Sequence, residues 1–392
     1  MRLPPGTRDW LPADLRRKRA VESELRAVFE RWAYAEVQTP YFERFDALEA
    51  GLGDDVASRL FLFADRGGTQ IALRPEMTTP VARLVSTRMR NAQLPLRLSY
   101  VAAAYRYEDP QEGRMREMTQ AGLELIGPSS LDADAESLFT AIEALDSLGL
   151  SDTLFDINHA AIVAGVLAGL ELDEHGIADA KKLIAGRNIV DLRARLHGAG
   201  APESVDSIVE LAMTRGRDDV LATAKRLCHT DAGLAGIERL RAILARASEL
   251  GHASRINVDF ALLRDVTYYT GFIFEGFASE VGFSLCGGGR YDALLPRFGF
   301  DAGAVGWSLF VERILIALER RHSTRFGAAP AIDVLVSGSD IVAARERAAG
   351  RTVRIDFDRR NEAELVREAE AQHIPRVVIA RNGDVREIEV TW

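Results

Sequence analysis

Thiols are scarce: Cys228 and Cys286 are the only two in 392 residues. Neither belongs to a CxxC pair, which excludes a disulfide framework and a cysteine-built zinc site. The seven histidines are scattered and form no HExxH pair. No apolar run approaches the ~20 residues that span a bilayer, and the N-terminus has no signal-peptide pattern, so a cytoplasmic protein without membrane contact is expected. Long basic runs are also missing, and the net charge is −9. That argues against a large electrostatic footprint for nucleic acid. What remains is ordinary for a globular chain: 47% hydrophobic and 27% charged residues, in a length that suits two or three domains.

The chemistry concentrates between Tyr100 and Gly127. Tyr100–Tyr107 is rich in aromatic and small residues and predicts a strand, and Asp109-Pro110-Gln111-Glu112-Gly113 marks a hairpin loop. Met115–Ile126 returns as a second strand, in which Met118, Gln120, Gly122 and Glu124 share one face. An amide and a carboxylate on that face, with Arg106 on the partner strand, suit a small zwitterionic or phosphorylated ligand. A solvated outer sheet face with paired charges fits the same residues.

The surrounding chain alternates clearly between element types. Arg16–Trp32 predicts an amphipathic helix with Leu15, Val21, Leu25, Val28, Phe29 and Trp32 as its stripe. Ala35–Glu43 predicts a strand ending at Pro40. Leu60–Phe63 and Thr69–Arg74 predict strands around the turn Asp65–Gly68. Arg74-Pro75-Glu76-Met77-Thr78-Thr79-Pro80 leads into a helix that Thr78 or Thr79 is placed to cap. Asp132–Leu148 predicts a helix with Leu138, Ile142, Leu145 and Leu148 facing inward, and Phe155–Asn158 a strand. From Ala161 to Leu250 one helix follows another with no strand signal between them. Arg255–Phe260 resumes the sheet. Beyond it come Leu263-Arg264-Asp265-Val266-Thr267-Tyr268-Tyr269, then Cys286-Gly287-Gly288-Gly289-Arg290-Tyr291-Asp292, then Gly306-Trp307-Ser308-Leu309-Phe310-Val311-Glu312-Arg313. The triple glycine lacks the Gly-Lys-Ser/Thr ending of a P-loop and better suits backbone passing close beneath a ligand. After Arg325, four strand and two helix signals alternate.

Taken together, these stretches resemble the class II aminoacyl-tRNA synthetases, in the histidyl form. The expected architecture is α+β: an antiparallel sheet flanked by helices over residues 1–325, a helical insertion at about 161–250, and a small α/β domain over 326–392. The resemblance implies a role for each matching residue. Glu76, with Thr78 beside it, faces the ligand's α-amino group. Arg106 grips the ATP α-phosphate, and Gln120 and Glu124 line the histidine pocket. Arg264 lies near the histidine carboxylate, Tyr268 and Tyr269 bound the imidazole, and Tyr291 offers its hydroxyl. Arg313 stacks on adenine. The Arg16–Glu43 region resembles the motif that builds the superfamily's dimer.

The departures are as informative. Phe310 stands where the family has a glycine in the ATP floor, and Asp109 replaces an arginine in the hairpin loop. Thr267 replaces an aspartate, and Phe272 a small polar residue. From Arg325 onward there is no lysine, and eleven arginines face twelve acids, which does not suit an anticodon-binding surface. A retained histidine pocket with an eroded nucleotide side resembles the regulatory-subunit family of ATP phosphoribosyltransferase, paralogues of the synthetases. The resemblance implies no catalytic residue, metal or cofactor, and no tRNA. It implies a short-form catalytic subunit as partner, a homodimeric core within a hetero-oligomer, and histidine as effector. An active histidyl-tRNA synthetase with a reduced C-terminal domain is the alternative, and a stand-alone histidine sensor a third.

Overall fold

The computed structural model describes residues 2–52, 58–228, 230–263, 269–326, 331–381 and 384–391. The chain divides into a unit of Met1–Phe326 and a smaller one of Gly327–Trp392. Strands of the first unit are β1 (Ala35–Glu36), β2 (Phe42–Arg44), β3 (Leu62–Ala64), β4 (Gln70–Leu73), β5 (Leu96–Tyr105), β6 (Glu117–Gly127), β7 (Leu154–His159), β8 (Arg215–Gly216), β9 (Ile256–Asp259), β10 (Phe272–Phe277), β11 (Ser284–Arg290) and β12 (Gly303–Phe310). Nine of these form one sheet in the order β1-β5-β6-β12-β11-β10-β7-β9-β8. Its centre is antiparallel, as expected, with parallel pairing at β1/β5 and β7/β9.

The alternation along β6 and β12 explains why the sheet has one packed face and one open face. Leu123 and Leu125, with Val305, Trp307 and Leu309, are buried in the main core beside helices Pro12–Arg31 and Leu131–Ser147. Trp307 donates its indole N–H to Thr140 at 2.9 Å, so the polar end of a buried ring is satisfied. The residues between them face the other way. Register places Gly122, Ser308, Gly287, Glu275 and Asp156 side by side across five strands, a floor of small residues that ends in two acids.

Several local expectations change. Ala35–Glu43 is not one strand but β1 and β2, separated around Pro40. The carbonyls of Thr39 and Pro40 turn to the buried Arg74 guanidinium, at 2.6 and 3.2 Å, instead of a strand partner. Leu15 leaves the predicted stripe and stands exposed beside solvent with Leu11, while Lys18 and Glu22 take buried places on the helix. Neither Thr78 nor Thr79 caps the helix Thr78–Arg88. The Glu76 carboxylate does so, accepting the Thr78 and Thr79 amides at 2.6 and 2.9 Å. The insertion is not purely helical. The two residues of β8 pair with β9 and join it to the sheet edge, a stretch too short to show alternation in sequence. Phe272 packs in the core with Phe274, facing away from Glu275.

β2, β4 and β3 form a separate three-stranded sheet whose turn matches expectation: Asp65 accepts the amides of Gly68 and Thr69, and Gly68 takes a positive φ. In the smaller unit, β13 (Val334–Ser337), β14 (Val353–Asp356), β15 (Arg376–Arg381) and β16 (Asp384–Glu389) form a sheet ordered β14-β13-β15-β16, with helices Asp340–Ala348 and Glu362–Ala371 in the connections. Asn361 and Glu364 form a reciprocal capping box at the second helix. No helix among the described residues is long and apolar enough to cross a membrane.

Candidate functional site

A cavity of about 410 Å³ opens over the small-residue floor. Its wall includes Glu76, Thr78, Arg106, Gln120, Glu124, Tyr269 and Tyr291, seven of the nine residues singled out in the sequence. Arg264 and Tyr268, together with Thr267, lie outside the described residues.

Glu124 sits at the bottom, 1% exposed in its strand. It accepts hydrogen bonds from the Tyr100 hydroxyl at 3.1 Å and from the Tyr291 hydroxyl. Burial raises its pKa to about 8. The hydroxyl contacts of Tyr291, Thr78 and Tyr100 oppose the rise, and the charge of Glu76 adds to it. Gly306 stands directly opposite on β12, where a Cβ would overlap the Glu124 carboxylate and the Leu123 carbonyl. Glycine at this position is therefore required by the carboxylate beside it. Gly289 plays the same part for Tyr269, whose ring would lie 2.9 Å from an added Cβ.

Glu76 and Gln120 form the upper wall. Both Glu76 oxygens are used by the helix terminus at Thr78 and Thr79, yet a carboxylate has about four lone-pair sites, so acceptor capacity remains for an ammonium. Gln120 is fixed at both ends: its carbonyl accepts the Met77 amide at 2.9 Å and its NH2 donates to Ser308 at 2.7 Å. Such bracing sets the position of polar groups before a ligand arrives.

The surroundings of Arg106 are arranged differently. Phe310 ends β12 opposite Gln120, and two guanidiniums approach its ring, Arg106 at 5.6 Å and Arg313 at 5.2 Å. Arg313 donates to the Gly113 and Ser284 carbonyls at 2.9 and 2.7 Å and has a second ring, Phe283, at 5.3 Å. Arg106 donates to the Pro75 carbonyl at 2.8 Å. A planar base seeking the face of Arg313 meets rings that already hold it. Asp109 is exposed in the hairpin loop.

The opposite wall was not foreseen. Asp156, Asp259, Glu275 and Arg187 line it, with Arg59 nearer the hairpin. Asp156 accepts from Arg215 at 2.9 Å, and burial raises its pKa while Arg215 opposes the rise. Arg187, from the helical insertion, pairs with Asp259 at 2.5 Å. In sequence, Glu275 is the single polar side chain of an apolar strand and Asp156 alternates with Asn158 between apolar neighbours, weak signs of a shared face; Arg187 carries no local signal. Among the described residues, no group of three or more His, Cys, Asp or Glu side chains is placed to hold a metal ion.

Sheet, hairpin and braced polar cavity define a class II aminoacyl-tRNA synthetase-like protein. A sequence model described as histidyl-tRNA synthetase matches residues 6–314. Relatives from several bacteria are named ATP phosphoribosyltransferase regulatory subunit; that of Moorella thermoacetica is 38% identical, covering 95% of this chain and 96% of its own. A histidine–tRNA ligase of Methanocaldococcus jannaschii is 34% identical, covering 99% of this chain and 94% of its own. The crystal structure of an ATP phosphoribosyltransferase regulatory subunit/histidyl-tRNA synthetase from Bacillus halodurans superposes with a TM-score of 0.83 at 26% identity, over 97% of this chain and 98% of that one. The chain belongs to the histidyl-tRNA synthetase family, in the branch of the ATP phosphoribosyltransferase regulatory subunits.

Proposed function

We propose that this chain is the regulatory subunit of ATP phosphoribosyltransferase and has no aminoacylation activity of its own. It activates a separate short-form catalytic subunit, which joins ATP to phosphoribosyl pyrophosphate in the first step of histidine biosynthesis, and it confers feedback inhibition by histidine. One contrast carries the reading. The amino-acid side of the cavity keeps its braced acceptors, while Arg106 and Arg313 are both engaged with the Phe310 ring.

Histidine fits the cavity's chemistry. Glu76 and the Gln120 carbonyl suit its ammonium, while Glu124 with the Tyr291 hydroxyl suits an imidazole that needs one acceptor and one donor. Arg264 and Tyr268 join this set by resemblance, for the carboxylate and the ring. Calorimetry on the purified chain tests the reading: histidine should bind saturably and ATP should not. Tight ATP binding with histidine-dependent pyrophosphate exchange would instead mark a working synthetase, the reading favoured by the retained Arg106 and Arg313.

The homodimeric core belongs to the same proposal. Leu11, Leu15, Tyr41, Phe42, Leu62 and Phe63 are exposed on and beside the Arg16–Glu43 region, and Phe42 and Phe63 meet edge to face at 6.2 Å. An apolar surface of this kind suits a second copy of the chain.

A further inference from the structure

We propose that Arg187 is a ligand-sensing residue through which occupancy of the cavity sets the placement of the helical insertion; this rests on histidine binding there. Arg187 lies in the turn between helices Glu174–Ala185 and Ile189–Leu196. Its φ is 50°, a left-handed conformation ordinarily left to glycine, although Gly186 is its neighbour. Tertiary bonds hold it there. The guanidinium donates to Asp259 at 2.5 Å and to the Ala212 carbonyl of helix Pro202–Met213 at 3.3 Å, so one side chain ties three insertion segments to strand β9. That side chain is also part of the cavity wall, with Ala185.

Arg215 gives the contrast. It fastens β8 to Asp156 at 2.9 Å and approaches Asp259 at 3.7 Å, yet it is not part of the cavity wall. Two arginines of the insertion therefore grip two buried core carboxylates, and one of the two also lines the cavity. A ligand that orders this wall strengthens the Arg187–Asp259 pair by excluding water from it. The insertion then closes more firmly, and its surface reports an occupied site.

Hydrogen exchange on the full chain, with and without saturating histidine, tests the proposal, with calorimetry measuring binding in parallel. In the wild type, histidine should slow exchange in Glu174–Ala185 and Ile189–Leu196 by about 5- to 150-fold, the usual range of a site-to-site coupling. Arg187→Gln should reduce that slowing to below about twofold, keep the slowing in β6, and weaken histidine by the factor of coupling lost, because linkage is reciprocal. Arg187→Lys, which keeps the charge, should restore most of it. Arg215→Gln should speed insertion exchange in both states and leave the histidine ratio intact. An unchanged ratio in Arg187→Gln, or an equal loss in Arg215→Gln, overturns the sensing role. Histidine binding to the wild type without any response in the insertion overturns it alone, whereas absence of binding removes the functional reading as well.

Discussion

Glu124→Gln removes a titratable group from the cavity floor while keeping the shape, and the structure sets the size of two effects. In the ligand-free fold, burial raises the carboxyl to about 8, whereas an unfolded chain leaves it in the ordinary glutamate range. Between those values the native state binds the proton more tightly. Its stabilising effect is fully present at low pH and is lost as pH rises through about 8. The wild type should therefore lose up to ~1.4 kcal/mol per pH unit from this group across that window. Glutamine does not titrate, so the stability of the variant minus that of the wild type should climb steadily from pH 5 to 8. Urea unfolding of both proteins at each pH, without ligand, measures it. The second effect concerns the ligand. Glutamine replaces one carboxyl oxygen with an NH2 that cannot accept from a tyrosine hydroxyl or an imidazole N–H, and leaving one such buried group unpaired costs about 1–3 kcal/mol, so histidine should bind roughly ten- to a hundredfold more weakly. A pH-independent stability difference with unchanged histidine affinity would refute both the burial argument and the assignment of the ring to Glu124.

Other expectations rest on separate parts of the molecule. Gly306→Ala places a Cβ against the Glu124 carboxylate and a neighbouring backbone carbonyl; it should cost about 1–3 kcal/mol of stability and abolish histidine binding measured by calorimetry. Phe310→Gly removes the ring that Arg106 and Arg313 both approach, and on the proposed reading ATP binding should rise only partially, since Asp109 leaves a negative charge in the hairpin loop; full synthetase-like affinity from this single change would contradict the role proposed for Asp109. Phe42→Asp in the exposed apolar region should convert a dimer into a monomer by light scattering at micromolar concentration, and a wild type that is already monomeric would remove the dimer proposal.

Much of the fold was legible because its strands and helices have strong periods. Leu138, Ile142, Leu145 and Leu148 repeat at helical spacing and all four are buried; Gln120 and Glu124 sit on alternate positions of one strand and reach one cavity. The misreadings share a cause: a local preference lost to a tertiary partner. Thr78 has the chemistry of a cap, but the neighbouring Glu76 satisfies the same amides with a charge. The Ala35–Glu43 strand breaks where the buried Arg74 needs carbonyl acceptors more than the sheet does. The Asp156–Arg187 wall stayed hidden because its members come from β7, β9, β10 and the insertion, and only the folded chain brings them together. Phe310 was recognised as a departure. That its ring is approached by both Arg106 and Arg313 is visible only in the folded chain.

The central claim is tested most directly by reconstitution. A short-form ATP phosphoribosyltransferase catalytic subunit from the same source is assayed for joining ATP to phosphoribosyl pyrophosphate, alone, with this chain, and with this chain plus histidine. The account predicts that the chain raises the rate, that histidine then lowers it, and that Glu124→Gln blunts the inhibition while leaving the activation intact. A chain that leaves the transferase unchanged and instead supports histidine-dependent exchange of pyrophosphate into ATP would contradict it.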